Sequence, residues 1–449
     1  MIKTKLYRAS KIAEIVNGEL IGEDCLIEQV CFDSREIMGE KSLFFAIKGE
    51  KYDAECFVDE AIKNGARVVV SSKKRAVNAT QIYVENTKKA LFDLACYNKG
   101  KTEVIGVTGS VGKTTIKQMI CSVLSKKYKV YATLENHNNE IGVAQTLLGI
   151  TNEKYCVIEM GMRGKGEIDF LSRLCEPYIS VISNVGSAHL GKLGTEEAIF
   201  EAKCEIISNT KVYVIVPNEW RFKCLNYGSS KPVFIGEGAD AYVCNINYLK
   251  KGISFDVFDK KFKKIIPMRL DSVYEHDAQN CAFAYMVGRL CDVPLKNIKS
   301  GILEFKNCKN RGELVSIGAI SIINDTYNAS FESVKGALQG LLQISQVQSK
   351  RSIALLGDML EMGENSAEFH KKIGEFARKI GIYNVIAIGE FSSQICDGFG
   401  GGIMLKSNQE AVNYIAENLG NGDILLIKAS RGMYFEKILE GLKEKINEN

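Results

Sequence analysis

Lys113 and Thr114 are the two side chains of this sequence whose types and setting most clearly suit chemistry. They stand in the run Gly109-Ser110-Val111-Gly112-Lys113-Thr114-Thr115. A lysine after a glycine turn can reach the terminal phosphates of a nucleotide, and the hydroxyl that follows can bind magnesium. Gly109 and Gly112 let the backbone bend close to an anion. The next N–H groups, with the positive end of a helix, would hold a phosphate. The elements that must position this loop are legible on both sides. An apolar, β-branched strand covers about 104–107, and a helix-forming segment runs to about Lys126. The usual phosphate-loop spacing is not met, because Val107 stands five residues before Gly112 where glycine is usual. The loop is the shorter Thr-Gly-x-x-Gly-Lys-Thr, which has few purely structural uses.

Composition excludes several classes. At 449 residues the chain has room for two to four domains. Apolar residues make up 46% and charged residues 25%, as in ordinary globular protein. A net charge of +4 over such a length gives no strong pull toward nucleic acid. No run of about 18 apolar residues is present, so no membrane insertion is expected. Met1-Ile2-Lys3-Thr4-Lys5 has no apolar signal core. The 14 cysteines include no Cys-x-x-Cys pair and read as reduced residues of a cytoplasmic protein.

The pattern of elements predicts an α/β protein of three domains. Residues 1–98 read as a small N-terminal α/β domain, with strands at 26–32, 42–47 and 66–70. A polar break follows at Asn98-Lys99-Gly100-Lys101. Residues 99–309 alternate strand and helix, with strands at 104–107, 129–133, 155–158, 179–182 and 212–216. This is the pattern of a P-loop-type parallel-sheet ATPase domain covered on both faces. The stretch 218–270 is less regular, with short strand-like segments such as 253–258, and nothing in it points to a role. Residues 310–449 repeat the alternation as a Rossmann-like domain, with strands at 320–323, 353–356, 385–388 and 424–427.

Ligands of parallel sheets bind at the carboxyl ends of strands, so polar residues there are the ones to weigh. Glu159 ends one strand and would hold magnesium beside the loop, or be a solvated strand-end carboxylate. His189 follows the strand at 179–182 and is a metal ligand or a structural histidine. Lys203 lies two turns into a helix, where the default is a surface lysine. Asn138 and Asn139 suit a substrate with mixed donors and acceptors, or helix capping. Asp33-Ser34-Arg35 lies between strands as a ligand loop or an Asx turn. Asp325, Asp358 and Lys428-Ala429-Ser430-Arg431 end strands of the third domain.

Taken together these stretches resemble the Mur ligases, the ATP-dependent amide ligases of peptidoglycan synthesis. The likeness rests on the order and spacing of blocks at 33–35, 108–117, 136–143, 159–168, 184–205, 311–313, 325–333, 356–363 with His370, and 428–431. Ser110-Val111 and the run Asn138-Asn139-Glu140-Ile141-Gly142 resemble the branch that adds D-alanyl-D-alanine. The resemblance implies ATP and Mg2+ as cofactors, with UDP-MurNAc-tripeptide and D-Ala-D-Ala as substrates. It implies a cytoplasmic monomer without a nucleic-acid partner. It implies a catalytic set of Lys113, Lys203 and His189, with magnesium held by Thr114, Glu159, His189 and a carbamylated Lys203. Nucleotide would contact Gly109, Ser110, Val111, Gly112, Lys113, Thr114, Thr115, Asn280, Arg311 and Asp325. Ser34, Arg35, Asn138, Asn139, Lys428 and Ser430 would bind substrate.

Four family features are replaced. After Tyr52-Asp53 the usual Gly-His is Ala54-Glu55, and after Tyr327-Asn328-Ala329 the usual Asn-Pro is Ser330-Phe331. Val-Lys-Gly-Ser becomes Ile427-Lys428-Ala429-Ser430, and the proline after Gly142-Val143 is Ala144. None removes a phosphate or metal group. They keep two other readings open: a diverged Mur-type ligase with another amino-acid or peptide substrate, and a catalytically silent ATP-binding protein.

Overall fold

The computed structural model describes residues 1–449 except 38, 40, 50–52, 135, 187–194, 225–226, 361 and 448–449. Its backbone is organised by three sheets of six, nine and six strands, each carrying helices. The first uses strands from Ile2–Arg8 to Thr80–Tyr83. Leu26–Cys31, Ser42–Phe45, Ala66–Ser71 and Thr80–Tyr83 pair in parallel. Ile2–Arg8 and Glu19–Ile21 close its two edges antiparallel. These edge strands are absent from the expectation because Lys, Glu and Arg break their alternation; they are half in water and need only one apolar face.

In the central sheet, strand Glu103–Thr108 lies between Tyr155–Glu159 and Ile179–Ile182, all parallel. Strand Val130–Ala132 lies beyond the first neighbour, and Tyr213–Pro217 and Lys231–Ile235 lie beyond the second. The strand order therefore reverses at Glu103–Thr108. In open α/β sheets that reversal opens a crevice at the carboxyl ends, which is where a ligand fits. Val104, Ile105, Val107, Val157, Ile158, Val181 and Ile182 are all buried, as expected of strands covered on both faces.

The stretch 218–270 extends the parallel sheet with an antiparallel part. It adds the strand Lys231–Ile235 and then a meander, Ala241–Tyr248, Ile253–Asp259 and Lys264–Leu270, paired antiparallel. The meander alternates strictly: Ile253, Phe255 and Val257 are buried while Ser254, Asp256 and Phe258 face outward. Its inner face packs near helix Glu275–Leu290, whose Ala278, Cys281, Ala282 and Tyr285 lie in the same apolar cluster.

Asn98 and Lys99 belong to helix Thr87–Lys99, and the break begins only at Gly100. Asn98 is fully buried. Its Nδ2 donates to the carbonyls of Leu147, Leu148 and Ile150 at 2.8–3.0 Å. Its Oδ1 accepts from Tyr7 Oη at 2.7 Å. One side chain thus satisfies the open C-terminal end of helix Glu140–Leu148 and ties it to the first strand of the chain. One apolar cluster likewise joins Ala9, Leu91 and Leu94 to Val143, Leu147 and Ile158.

In the third sheet, Ile320–Asp325, Asp423–Lys428, Arg351–Gly357, Asn384–Ile388 and Ile403–Leu405 run in parallel, with Glu313–Ile317 antiparallel at one edge. His370 is buried on helix Ser366–Ile380. Its Nε2 accepts from Met359 N at 2.8 Å, and its Nδ1 meets the Ser366 carbonyl at 2.6 Å. The ring is therefore neutral, with its proton on Nδ1, and burial holds its pKa below the ordinary value. The unfolded chain takes up this proton first as pH falls below about 6.5. Stability is then full above that pH and drains away on acidification toward the lower folded pKa. Thermal melts of wild type should fall between pH 7 and 5.5, and His370→Gln should be less stable at pH 7 by about 1–3 kcal/mol with a flatter profile. Parallel profiles for the two proteins would contradict this.

Candidate active site

The loop after Thr108 is shaped by its neighbours. Gly112 has φ +81° and caps helix Lys113–Leu124 without a side-chain partner, so the first-turn N–H groups are left for an anion. A Cβ at Gly112 would stand 3.0 Å from Asn280 Oδ1, which places the Asn280 amide against the turn. Lys113 Nζ folds back over the loop and donates to the carbonyls of Gly109 at 2.8 Å and Ser110 at 3.2 Å. Thr115 is partly exposed in the first helical turn.

Ser110 and Val111 lie in the loop, but their N–H groups are engaged within the protein. Both donate to Asn184 Oδ1, at 3.1 and 2.8 Å. Asn184 Nδ2 and Ser183 Oγ donate in return to the Val111 carbonyl at 2.8 and 2.9 Å. These two residues shape the loop, and the anion-facing N–H groups are those of the helix turn. Asn184 is a positioning residue that motif spacing did not reveal. Its signal was its place just past the strand next to Glu103–Thr108. Asn184→Ala strands the Val111 N–H, at a cost of about 1–3 kcal/mol, while Ser110 N keeps the Asn184 backbone carbonyl at 3.1 Å. Nucleotide affinity, read by calorimetric titration, should fall at least about tenfold; unchanged affinity would remove the strap.

Beside the loop, Thr114 Oγ1 donates to Glu159 Oε2 at 2.8 Å, and Asn138 Nδ2 donates to Glu159 Oε1 at 2.8 Å. Glu159 is buried, not solvated. The backbone around it is held by Thr133, whose Oγ1 accepts from Glu159 N and whose carbonyl accepts from the fully buried Lys117 at 2.6 Å. A carboxylate touching a hydroxyl beside a phosphate cradle fits Mg2+, which takes few protein oxygens and completes its shell with phosphate and water. Among the described residues no group of three or more His, Cys, Asp or Glu could hold a metal alone. His189 lies outside the described residues.

Lys203 is 1% exposed, so the surface-lysine alternative fails. It sits on helix Glu196–Ser208, capped by Thr195 Oγ1. Burial pushes its pKa well below the ordinary lysine value, and the positive charge of Lys113 adds to the shift. Both causes act against the charged form and shift Lys203 toward the neutral amine.

The third domain meets this site. Asp325 accepts from Lys428 Nζ at 2.7 Å and from Tyr274 Oη at 3.1 Å, and Tyr274 directly precedes helix Glu275–Leu290. A Cβ on Gly186 would lie 3.9 Å from Glu332 Cδ, so the start of helix Phe331–Gln348 faces the strap. Arg311 lays its guanidinium 3.7 Å from the Tyr327 ring centre. Ser430 Oγ accepts from Leu360 N at 3.0 Å.

Other expected site residues also make local contacts. Asn139 Oδ1 accepts from Gly142 N at 2.9 Å and caps helix Glu140–Leu148. Ser34 is buried and donates to Glu60 at 3.0 Å; Arg35 is exposed and pairs with Asp33 at 2.6 Å. Two of the departures also have structural accounts. Ser330 caps helix Phe331–Gln348 in a box with Ser333, so serine does the capping there. Glu55 is buried and binds Ser71, Ser72 and Arg75.

Residues 107–288 match the family model described as the Mur ligase middle domain, and residues 310–431 match that of the Mur ligase glutamate ligase domain. The UDP-N-acetylmuramoyl-tripeptide–D-alanyl-D-alanine ligase of Bacillus subtilis strain 168 is 34% identical over 463 residues, covering 96% of this chain and 97% of that protein. MurF from Acinetobacter baumannii superposes with a TM-score of 0.91 at 28% identity, covering 99% of this chain and all of that one. MurF ligase from Thermotoga maritima, solved in complex with ADP, gives 0.82 at 27% identity over 94% of this chain and 98% of that one. A shortened phosphate loop at the reversal point of a central sheet, flanked by two further α/β domains, is matched along nearly its whole length, and the chain belongs to the Mur ligase family.

Proposed function

We propose that this protein is an ATP-dependent, ADP-forming amide ligase that joins D-alanyl-D-alanine to UDP-N-acetylmuramoyl-tripeptide, giving the pentapeptide used in peptidoglycan synthesis. The full-length similarity to ligases of that name carries the reading. The nucleotide site alone would fit many phosphate-loop enzymes.

A carboxylate is a poor acyl donor. In the reaction, a carboxylate oxygen of the tripeptide attacks the γ-phosphorus of ATP, and the bond to the bridging oxygen breaks, releasing ADP. The amine of D-Ala-D-Ala then attacks the acyl carbon of the acyl phosphate. The tetrahedral intermediate loses a proton from nitrogen and expels phosphate. The protein supplies position and charge rather than a covalent nucleophile. Lys113 neutralises the phosphates, and the N–H groups of the helix turn from Gly112 to Thr115 hold them. Thr114 and Glu159 would hold magnesium, with His189 and carbamylated Lys203 as further ligands. When bound, that ion supplies charge neutralisation at the phosphates. Asn280 contacts the nucleotide at the turn, and Arg311 and Asp325 close over it.

The domain roles follow. Residues 1–98 bind the UDP end through Ser34 and Arg35. Residues 99–309 bind ATP and place the peptide carboxylate near Asn138 and Asn139. Residues 310–449 close the site and bind the incoming amine near Lys428 and Ser430. In this reading the protein acts as a monomer. No helix among the described residues is long and apolar enough to cross a membrane, and a cytoplasmic setting suits nucleotide-linked substrates.

The test is direct. The protein is mixed with ATP, magnesium, D-Ala-D-Ala and a UDP-MurNAc-tripeptide carrying diaminopimelate or lysine. Mass spectrometry should find pentapeptide and ADP, with phosphate release requiring both substrates. Phosphate release with another amine alone would establish the diverged ligase; no release under any pairing would establish the silent protein.

A further inference from the structure

The meander of residues 241–270 has no part in the nucleotide site, and its last turn is chemically unlike the rest of the surface. Strands Ile253–Asp259 and Lys264–Leu270 are joined by Lys260, Lys261, Phe262 and Lys263, and all residues from 260 to 265 are exposed. Four lysines thus fall within five residues. That number equals the whole chain's excess of basic over acidic residues, 58 against 54. Among the described residues, no carboxylate forms an ion pair with Lys260, Lys261, Lys263 or Lys264. Two large apolar side chains accompany the charges, Phe262 between them at 45% exposure and Ile265 directly after them at 60%.

The turn is built to hold this display. Phe262 N donates to Asp259 Oδ1 at 3.3 Å, and Asp259 is buried against the Tyr285 hydroxyl at 2.6 Å. Lys260 N donates to the Asp240 carbonyl. Arg289 sits 4.0 Å from the Phe262 ring centre. Pairing of Tyr242 with Phe258, and of Phe258 with Ile265, lays one apolar row across the outer face beside the turn. Tyr242 and Phe258 also line an open cavity of about 740 Å³ that Lys260 and Lys263 border.

We infer that this turn docks the protein reversibly on an anionic lipid surface. A soluble polyanion would satisfy the ammonium groups and leave Ile265 and Phe262 in water. The lipid interface satisfies both, with headgroup phosphates at the lysines and the glycerol region around the apolar pair. Lysine stems reach sideways far enough to keep their charge at headgroup level while the apolar side chains enter. Four strands separate strand Ile253–Asp259 from Glu103–Thr108, roughly 24 Å at sheet spacing. Docking therefore leaves the phosphate loop open.

The experiment is co-sedimentation of the full chain with vesicles of phosphatidylcholine alone and of phosphatidylcholine mixed with phosphatidylglycerol. Binding should require the anionic lipid and weaken as salt rises. Each lysine near such a surface is worth about fivefold, so Lys260→Glu/Lys263→Glu should lose at least about 25-fold. Phe262→Ser/Ile265→Ser should weaken binding about tenfold and leave its salt dependence in place. Both variants should keep wild-type melting and lipid-free phosphate release, which separates lost docking from lost folding. Equal binding to neutral vesicles, or a charge-reversed protein that binds like wild type, overturns the inference. So does an apolar-pair variant with undiminished binding, which would mark the turn as a general polyanion site.

Discussion

Lys113→Ala lowers ligase turnover by at least roughly 100- to 1000-fold, the usual cost of removing one preorganised charge from a developing anion. The position of the side chain gives the reason. Lys113 begins a helix whose first-turn N–H groups have no side-chain cap, and its ammonium lies over the carbonyls of Gly109 and Ser110. Those carbonyls hold the charge above the loop, where the γ-phosphoryl group must pass. The side chain is only partly buried, so its loss removes charge and little packing. Melting temperature should therefore stay near wild type while phosphate release in the presence of both substrates collapses. Turnover close to wild type would remove the loop from the catalytic site.

Lys203→Ala should cost on the order of 100-fold or more, and a short carboxylate added to the assay should restore part of the loss. An ammonium at Lys203 would be buried beside a second ammonium, and both effects favour the free amine. A neutral amine is the form that attacks carbon dioxide. The new N–C bond forms as the nitrogen loses a proton, and the product is an anionic carbamate. That change converts repulsion from Lys113 into attraction and supplies an oxygen donor for a hard cation. Labelled carbon dioxide should give a carbamate carbon signal in wild type that is lost in the variant. Full activity without rescue, or an unchanged signal, would make Lys203 a buried structural lysine.

Much of the fold was legible because parallel strands covered on both faces must be apolar throughout. The runs at 104–107, 155–158, 179–182, 353–356 and 424–427 show this without help from their neighbours. Of the meander only 253–258 was legible as a strand, because strands wet on one face carry polar residues at every second position, as in Lys264–Leu270. Asn98 read as part of a polar linker because its carbonyl partners lie about fifty residues away. Asn139 had two sequence readings, and the structure shows its side-chain oxygen capping a helix.

Local chemistry was readable from residue order: a glycine turn that must approach an anion, the lysine and hydroxyl that follow it, and a strand-end glutamate. Each depends on residue type and short spacing, which the chain carries with it. Tertiary structure decided which of these meet. It set Thr114 on Glu159, strapped Ser110 and Val111 to Asn184, and buried Lys203 near Lys113. It also left four lysines of one distant turn in water. Burial and pairing arise between segments far apart in sequence, and they set how far the balance of Lys203 shifts from ammonium toward amine.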